Sequence, residues 1–164
     1  IITSGGVSVG EADHTKAMMK KLGDVAFWRI AMRPGRPMAV GRLSDDKHSA
    51  VLFGLPGNPV AVMVTFAAFV RPALQKLMGW NAPPQPMLRA RAVDTMRKKP
   101  GRTEYQRGIV EQRDGELWVQ LTGNQGSGVL SSMVQANGLI VLGHEQPTVQ
   151  AGGWVDVMMF DGQL

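Results

Sequence analysis

The sequence predicts an α/β layer followed by a small all-β barrel. Three observations carry this expectation. Strand and helix signals alternate over residues 1–79, three prolines crowd into residues 83–86, and beyond them only short strand-length apolar runs remain. The first unit should therefore hold a mostly parallel sheet with helices. The boundaries fall at 1–79 for the α/β part, 80–86 for a Pro-rich linker and 87–164 for the barrel.

A short apolar strand ends at Thr3, and Gly5 to Gly10 form a loop leading to a helix that Asp13 opens and Gly23 stops. Val25 to Met32 reads as a strand with Phe27, Trp28 and Ile30 as its bulky members. Arg33-Pro34-Gly35-Arg36-Pro37 has to turn, because proline fixes φ and glycine frees it. Met38–Leu43 and Ala50–Leu55 are two further strands, and Pro56-Gly57-Asn58-Pro59 is the next turn. Val60 to Met78 is a helix apolar nearly all round, which should be largely buried. Trp80 to Pro86 cannot continue it. The barrel strands are expected at Met87–Val93, Glu104–Glu111, Leu117–Leu121, Leu139–Leu142 and Trp154–Phe160, with Asp114-Gly115 as a hairpin turn.

Composition narrows the function. The 164 residues include no cysteine, so disulfide scaffolds and thiolate metal sites are out, and a cytoplasmic setting fits. No uninterrupted apolar run reaches the roughly 18–20 residues of a membrane span, so no membrane partner is expected. The opening Ile1-Ile2 pair runs straight into a Gly-rich loop, as though a buried strand had been cut, and the chain reads as a fragment of a longer protein. The net charge of +5 is local: residues 87–113 carry eight basic side chains against three acidic ones. Such a segment suits an anion, whether nucleic acid, phosphate or a small oxyanion. His14, His48 and His144 show no metal-ligand spacing.

Candidate chemistry lies in the loops. Ser4, Gly5, Gly6, Ser8 and Gly10 follow a strand and precede a helix, where backbone amides of an open α/β sheet face ligands. Glu11-Ala12 stands where a P-loop needs Lys-Ser/Thr, and the adjacent Gly5-Gly6 breaks the dinucleotide-binding spacing. Asp13 suits a helix cap and equally a Mg²⁺ ligand beside phosphate oxygens. Arg33 and Arg36 bracket a rigid turn, either as paired guanidiniums for a tetrahedral oxyanion or as solvated strand-end charges. Asn58, within Pro56-Gly57-Asn58-Pro59, can cap the buried helix or bind a ligand at the same end. Pro100-Gly101-Arg102 and Thr122 to Gly128 read as tight β turns that carry anion-capable groups.

Taken in order, Thr3 to Asp13, Arg33 to Pro37, Leu55 to Val60, Pro100-Gly101-Arg102 with Gln106-Arg107-Gly108, and Thr122 to Gly128 resemble the carboxyl-terminal part of the MoeA and gephyrin E-domain family of molybdopterin molybdenumtransferases. The resemblance covers nearly the whole chain. It implies a homodimeric enzyme of molybdenum cofactor biosynthesis that inserts molybdate into adenylylated molybdopterin with Mg²⁺ and releases AMP. It also implies a molybdopterin adenylyltransferase as upstream partner and a fragment inactive without the family's amino-terminal domains. By position, Asp13 resembles the family's acidic catalytic and metal-binding residue. Ser4, Gly5, Gly6, Ser8, Gly10 and Pro56 to Pro59 correspond to the pterin- and nucleotide-binding loops. Arg33 and Arg36 match a basic pair, commonly lysines, associated with molybdate, with Arg102 and Ser127 contributing from the barrel. Ala61 stands where the family often has serine. The same fold serves as a non-catalytic scaffold in gephyrin's receptor role, which is the alternative. A nucleic-acid-binding β domain is disfavoured by the single tyrosine, Tyr105, and no nucleic acid is expected.

Overall fold

The computed structural model describes residues 1–2, 21, 23–81, 83–126 and 128–160. Three strands, β1 (Gly23–Arg29), β3 (Pro37–Ser44) and β4 (Ser49–Gly54), make a sheet of order β1-β3-β4. A separate two-residue strand, β2 (Met32–Arg33), lies between the first two in sequence but joins a different sheet. The expected mostly parallel pairing is not what the described strands of the first sheet show. β1 and β4 both run antiparallel to β3, with Val25 opposite Gly41 and Ala39 opposite Gly54. The reason is the length of the connections. A parallel partner needs a crossover of a dozen or more residues, and the chain from β3 to β4 returns within a few. The expected strand ending at Thr3 and the helix opened by Asp13 lie outside the described residues.

A helix then runs from Pro59 to Leu77 in three pieces: α1 (Pro59–Thr65), a π-helical turn (Phe66–Val70) and α2 (Arg71–Leu77). Asn58 caps it, its Oδ1 accepting from the Ala61 amide at 3.2 Å, and Pro59 occupies a first-turn position that needs no N–H. Pro72 cannot donate within a regular ladder. The wider turn before it, in which the Arg71 amide donates to the Phe66 carbonyl, lets the helix continue past this residue. The expectation that this helix is largely buried is corrected. Val60, Ala61, Val64, Thr65 and Val70 are buried, but Met63, Phe66, Leu74 and Leu77 are exposed, because only one stripe meets the rest of the described chain. By length and mean hydropathy this helix passes as a possible membrane span, yet Val60 and Val64 are fully buried against Leu139 and Met158, as in a core helix.

After the proline segment the chain forms β5 (Met87–Ala92), β6 (Thr103–Arg113), β7 (Glu116–Leu121), β8 (Gly138–Leu142) and β9 (Trp154–Met159), with a short helix α3 (Ser131–Gln135) before β8. β6, β7, β5, β9 and β8 pair in that order, and β8 returns to β6, which closes a five-stranded barrel. Asp114 and Gly115 both take positive φ, 48° and 83°, as the two-residue hairpin between β6 and β7 requires. The interior holds Ala90, Ala92, Met96, Val110, Val119, Ile140, Leu142, Val155 and Val157. So narrow a barrel needs small residues. A Cβ on Gly108 would stand 2.7 Å from Val119 Cγ2 and 2.8 Å from Ile140 Cδ1.

A second core lies outside the barrel. Met32 of β2 and Val60 and Val64 of α1 pack with Met133, Leu139 and Met158, on the outward face of β8 and β9. β2 itself adds to the edge of β6 in parallel, Met32 opposite Thr103 and Arg33 opposite Glu104. The arginine turn is thus anchored to the barrel and the helix at once.

Candidate functional site

The turn that follows β2 is pressed against the first helix. Gly35 has φ +103°, and a Cβ there would lie 2.5 Å from Thr65 Cγ2 and 3.6 Å from the Ala61 carbonyl oxygen, so only glycine fits this approach. Thr65 is fully buried with its hydroxyl donating to the Ala61 oxygen at 2.6 Å. Met32 is buried and Arg33 and Arg36 are exposed on either side of buried Pro34-Gly35. This anchoring brings Arg33 to a stretch of β6 that pairs with β8 on one edge and has its other edge open among the described residues.

On the edge away from β8, β7 pairs with β6 only as far as Gly108 and β2 only at Thr103 and Glu104, which leaves that edge open, with a gap at residues 105–107. Gln125 fills part of it. Its amide accepts from the Arg107 N–H at 2.8 Å and donates to the Arg107 carbonyl at 3.1 Å, so one side chain substitutes for a neighbouring strand. Asn137 pairs in the same way with both backbone groups of Val110, at 2.7 and 2.9 Å.

In the gap is a cavity of about 230 Å³ lined by Arg33, Thr95, Arg97, Glu104, Tyr105, Gln106, Arg107 and Gln125, among others. Its charge is lopsided. Three guanidiniums face one carboxylate, and that carboxylate is already engaged: Glu104 Oε1 accepts from Arg102 Nε at 2.8 Å and Oε2 from Gln106 Nε2 at 3.3 Å. Arg107 is 1% exposed. It donates from Nε to Ser132 Oγ and from Nη2 to the Gly126 carbonyl, both at 3.0 Å, and among the described residues no carboxylate pairs with it. Burial, and then the charge of nearby Arg33, lower its pKa, yet a guanidinium stays protonated at any physiological pH. Burial likewise raises the Tyr105 phenol above its ordinary value. Gln106 Oε1 is buried and has no hydrogen-bond partner among the described residues.

A buried cation without a counterion is costly unless an anion completes the site, and preorganised guanidiniums in a cavity suit a tetrahedral oxyanion. Of the residues singled out from sequence, Arg33 lines this cavity. Arg36 and Pro56 to Pro59 lie on the same turn and helix start but do not line it, and Asn58 is used as a cap. Arg102 is spent on Glu104, beside the cavity rather than in it. Ser4, Gly5, Gly6, Ser8, Gly10, Asp13 and Ser127 lie outside the described residues. The sequence alone gives no site role to Arg97, Gln106, Arg107 or Ser132. The available signal was the position of Arg107 within a strand-length run, where a charge at a buried register needs a reason.

The described residues do not by themselves supply a site for the implied Mg²⁺. Among them no three His, Asp or Glu side chains gather, and the one acid lining the cavity is taken by Arg102 and Gln106. A metal site would rest on Asp13, and no chemical step is assigned to it.

Comparison with known proteins finds relatives along the whole chain. Residues 1–76 match the model of a probable molybdopterin binding domain and residues 89–160 that of the MoeA C-terminal region, domain IV. The molybdopterin molybdenumtransferase of Haemophilus influenzae is 45% identical over all of this chain and 40% of its own length. Gephyrin of Dictyostelium discoideum is 34% identical over 97% of this chain and 25% of its own. A MoeA protein of Pyrococcus horikoshii superposes with TM-score 0.69 at 26% identity, covering 97% of this chain and 36% of that one. A molybdenum cofactor biosynthesis protein of Pyrococcus furiosus gives 0.65 at 28% identity, covering 84% and 45%. The chain therefore spans less than half the length of these relatives, and with both family models in sequence along it, it belongs to the MoeA and gephyrin family of molybdenum cofactor biosynthesis proteins.

Proposed function

We propose that this chain supplies the oxyanion-binding part of a molybdopterin molybdenumtransferase, which inserts molybdate into adenylylated molybdopterin and releases AMP. The observation that carries the reading is the cavity beside β6, where Arg33 and Arg107 approach each other and, among the described residues, no carboxylate is free to neutralise them. The chemistry asks little else of the protein. The adenylyl group is the leaving group, so catalysis is chiefly positioning plus neutralisation of a dianion beside a phosphoanhydride. Arg107, fixed through Ser132 and Gly126, holds the oxyanion, and Arg33, fixed through β2, closes it from the other side.

The Mg²⁺ dependence, the pterin contacts of the Gly-rich loop and of Pro56 to Pro59, the homodimer, the upstream adenylyltransferase, the cytoplasmic setting, the division at residues 80–86 and the inactivity of this piece alone belong to the same proposal. The nucleic-acid alternative gains no support from the basic stretch. Arg89, Arg91, Arg102 and Arg113 pair with Asp156, Glu116, Glu104 and Glu111, and Lys98 is enclosed by three carbonyls. The test is molybdate-dependent AMP release from adenylylated molybdopterin by the whole protein. Arg33→Ala and Arg107→Met should each slow it at least tenfold, and unchanged rates in both would refute the assignment.

A further inference from the structure

We propose that Arg97 is a third anion-binding side chain of this cavity and that it grips a second dianionic tetrahedral group, distinct from the one held by Arg33 and Arg107. The inference rests on the cavity being an oxyanion site and deepens that reading. Arg97 belongs to none of the loops that carry the family resemblance.

Arg97 is exposed and lines the cavity, and among the described residues no hydrogen bond or ion pair engages its guanidinium. That sets it apart from Arg89, Arg91, Arg102 and Arg113, each paired with a carboxylate. Its backbone, by contrast, is held from three sides. Met96 bridges Val149 through reciprocal amide bonds of 2.8 and 3.1 Å. The next residue, Lys98, is buried, and its ammonium donates to the carbonyls of Gln146, His144 and Lys99 at 2.7, 3.1 and 3.4 Å. The Arg97 carbonyl itself accepts from Gln106 Nε2 at 3.4 Å. A fixed main chain carrying an uncommitted cation into a cavity is the arrangement of a binding residue rather than of a fold-stabilising one.

Two independent observations say that a single small oxyanion does not complete the site. A cavity of about 230 Å³ is more than the five heavy atoms of a tetrahedral oxyanion fill. Gln106, 7% exposed, has its amide nitrogen committed to Glu104 and Arg97, while Oε1 is left without a donor. Leaving a buried acceptor unpaired is unfavourable, so a ligand or its water that brings a donor there is favoured. The ligand chemistry shared by these features is a phosphoryl or oxyanion group at Arg97 in addition to the one at Arg107.

The test is calorimetric titration of the full-length protein with two probes, molybdate alone and AMP alone, for the unaltered protein and for Arg97→Gln, Arg97→Lys and Arg107→Met. Arg97→Gln should weaken one probe about tenfold, with Arg97→Lys recovering part of the loss. If AMP is the probe affected, the group at Arg97 is the phosphoryl end of the substrate. If molybdate is affected and the unaltered protein takes up two molybdates per chain, it is a second free oxyanion, whereas one molybdate per chain overturns the second group. Unchanged binding of both by Arg97→Gln, with molybdate still weakened by Arg107→Met, overturns the role of Arg97 and leaves the oxyanion site standing. Unchanged binding in Arg107→Met as well would remove the reading on which the inference rests. The exposed position of Arg97 leaves folding intact, which an unaltered thermal midpoint verifies.

Discussion

Replacing Arg107 with methionine should leave the fold about as stable as before while removing most of the oxyanion affinity. The side chain is 1% exposed and makes two hydrogen bonds, to Ser132 Oγ and the Gly126 carbonyl. Bonds from a charged donor contribute about 1.5–3 kcal/mol each, whereas desolvating a guanidinium costs several kcal/mol. Removal strands neither partner. Ser132 Oγ still donates to the Val129 carbonyl at 2.6 Å, and the Gly126 carbonyl still accepts from the Val129 amide at 3.2 Å. Methionine retains much of the apolar stem. The opposing terms therefore cancel to within about 2 kcal/mol, which keeps the thermal midpoint within roughly 8 °C. A dianion, in contrast, loses a charge-assisted donor, which raises its Kd about 10- to 150-fold. Urea unfolding with and without molybdate reads both quantities. Molybdate at a hundred times Kd should stabilise the unaltered protein by about 2.7 kcal/mol and the variant far less at the same concentration. A variant destabilised by more than about 4 kcal/mol that still binds molybdate normally would show that Arg107 is there for the fold, and the reasoning would fail.

Three further outcomes follow from the same contacts. Gly35→Ala should cost about 2–3 kcal/mol in denaturant unfolding, since its Cβ meets Thr65 Cγ2 at 2.5 Å at a φ of +103°, and Thr65→Ser in the same chain should restore the steric part. Asn58→Ala should cost about 1 kcal/mol through the lost bond to the Ala61 amide, with Asn58→Asp close to neutral in the same unfolding assay. Tyr105 has its phenol pKa raised above 10.0 by burial, so the fold favours the protonated form. Its contribution is complete below the unfolded value and lost as pH rises through the folded one. Stability measured across the alkaline range should accordingly fall above about pH 10, and less steeply in Tyr105→Phe.

Much of the architecture was legible because local chemistry decides it. The barrel strands lie within a few residues of where short apolar runs and Asp114-Gly115 put them, and Asn58 with Pro59 starts the helix as capping rules require. What local chemistry does not contain is partnership. Nothing in Met32-Arg33 says that this dipeptide will leave its neighbours and pair with Thr103-Glu104, some 70 residues away. The apolar periphery of the helix likewise specified a need for cover without saying which side would receive it, and Met63, Phe66 and Leu77 remain exposed. At the site, Arg102 sits in a conspicuous Pro-Gly-Arg turn but is committed to Glu104, while Arg107, within the motif Gln106-Arg107-Gly108, carries no sign of its burial in the sequence. Turn composition draws attention to loops, whereas a buried cation is recognised only once register and burial are known.

The connection between β2 and β6 has a consequence for how the molecule comes apart. If the proline-rich stretch near residue 83 were severed by a protease, the pieces would not drift away, since the amino-terminal one contributes Met32, Val60 and Val64 to a core completed by Met133, Leu139 and Met158 of the other, as well as a ladder of main-chain bonds. The covalent link there is mechanically redundant. Arg33 and Arg107, though encoded far apart, would travel together as a single unit through any nick, and the proposed anion-binding corner would outlast the integrity of the polypeptide that built it.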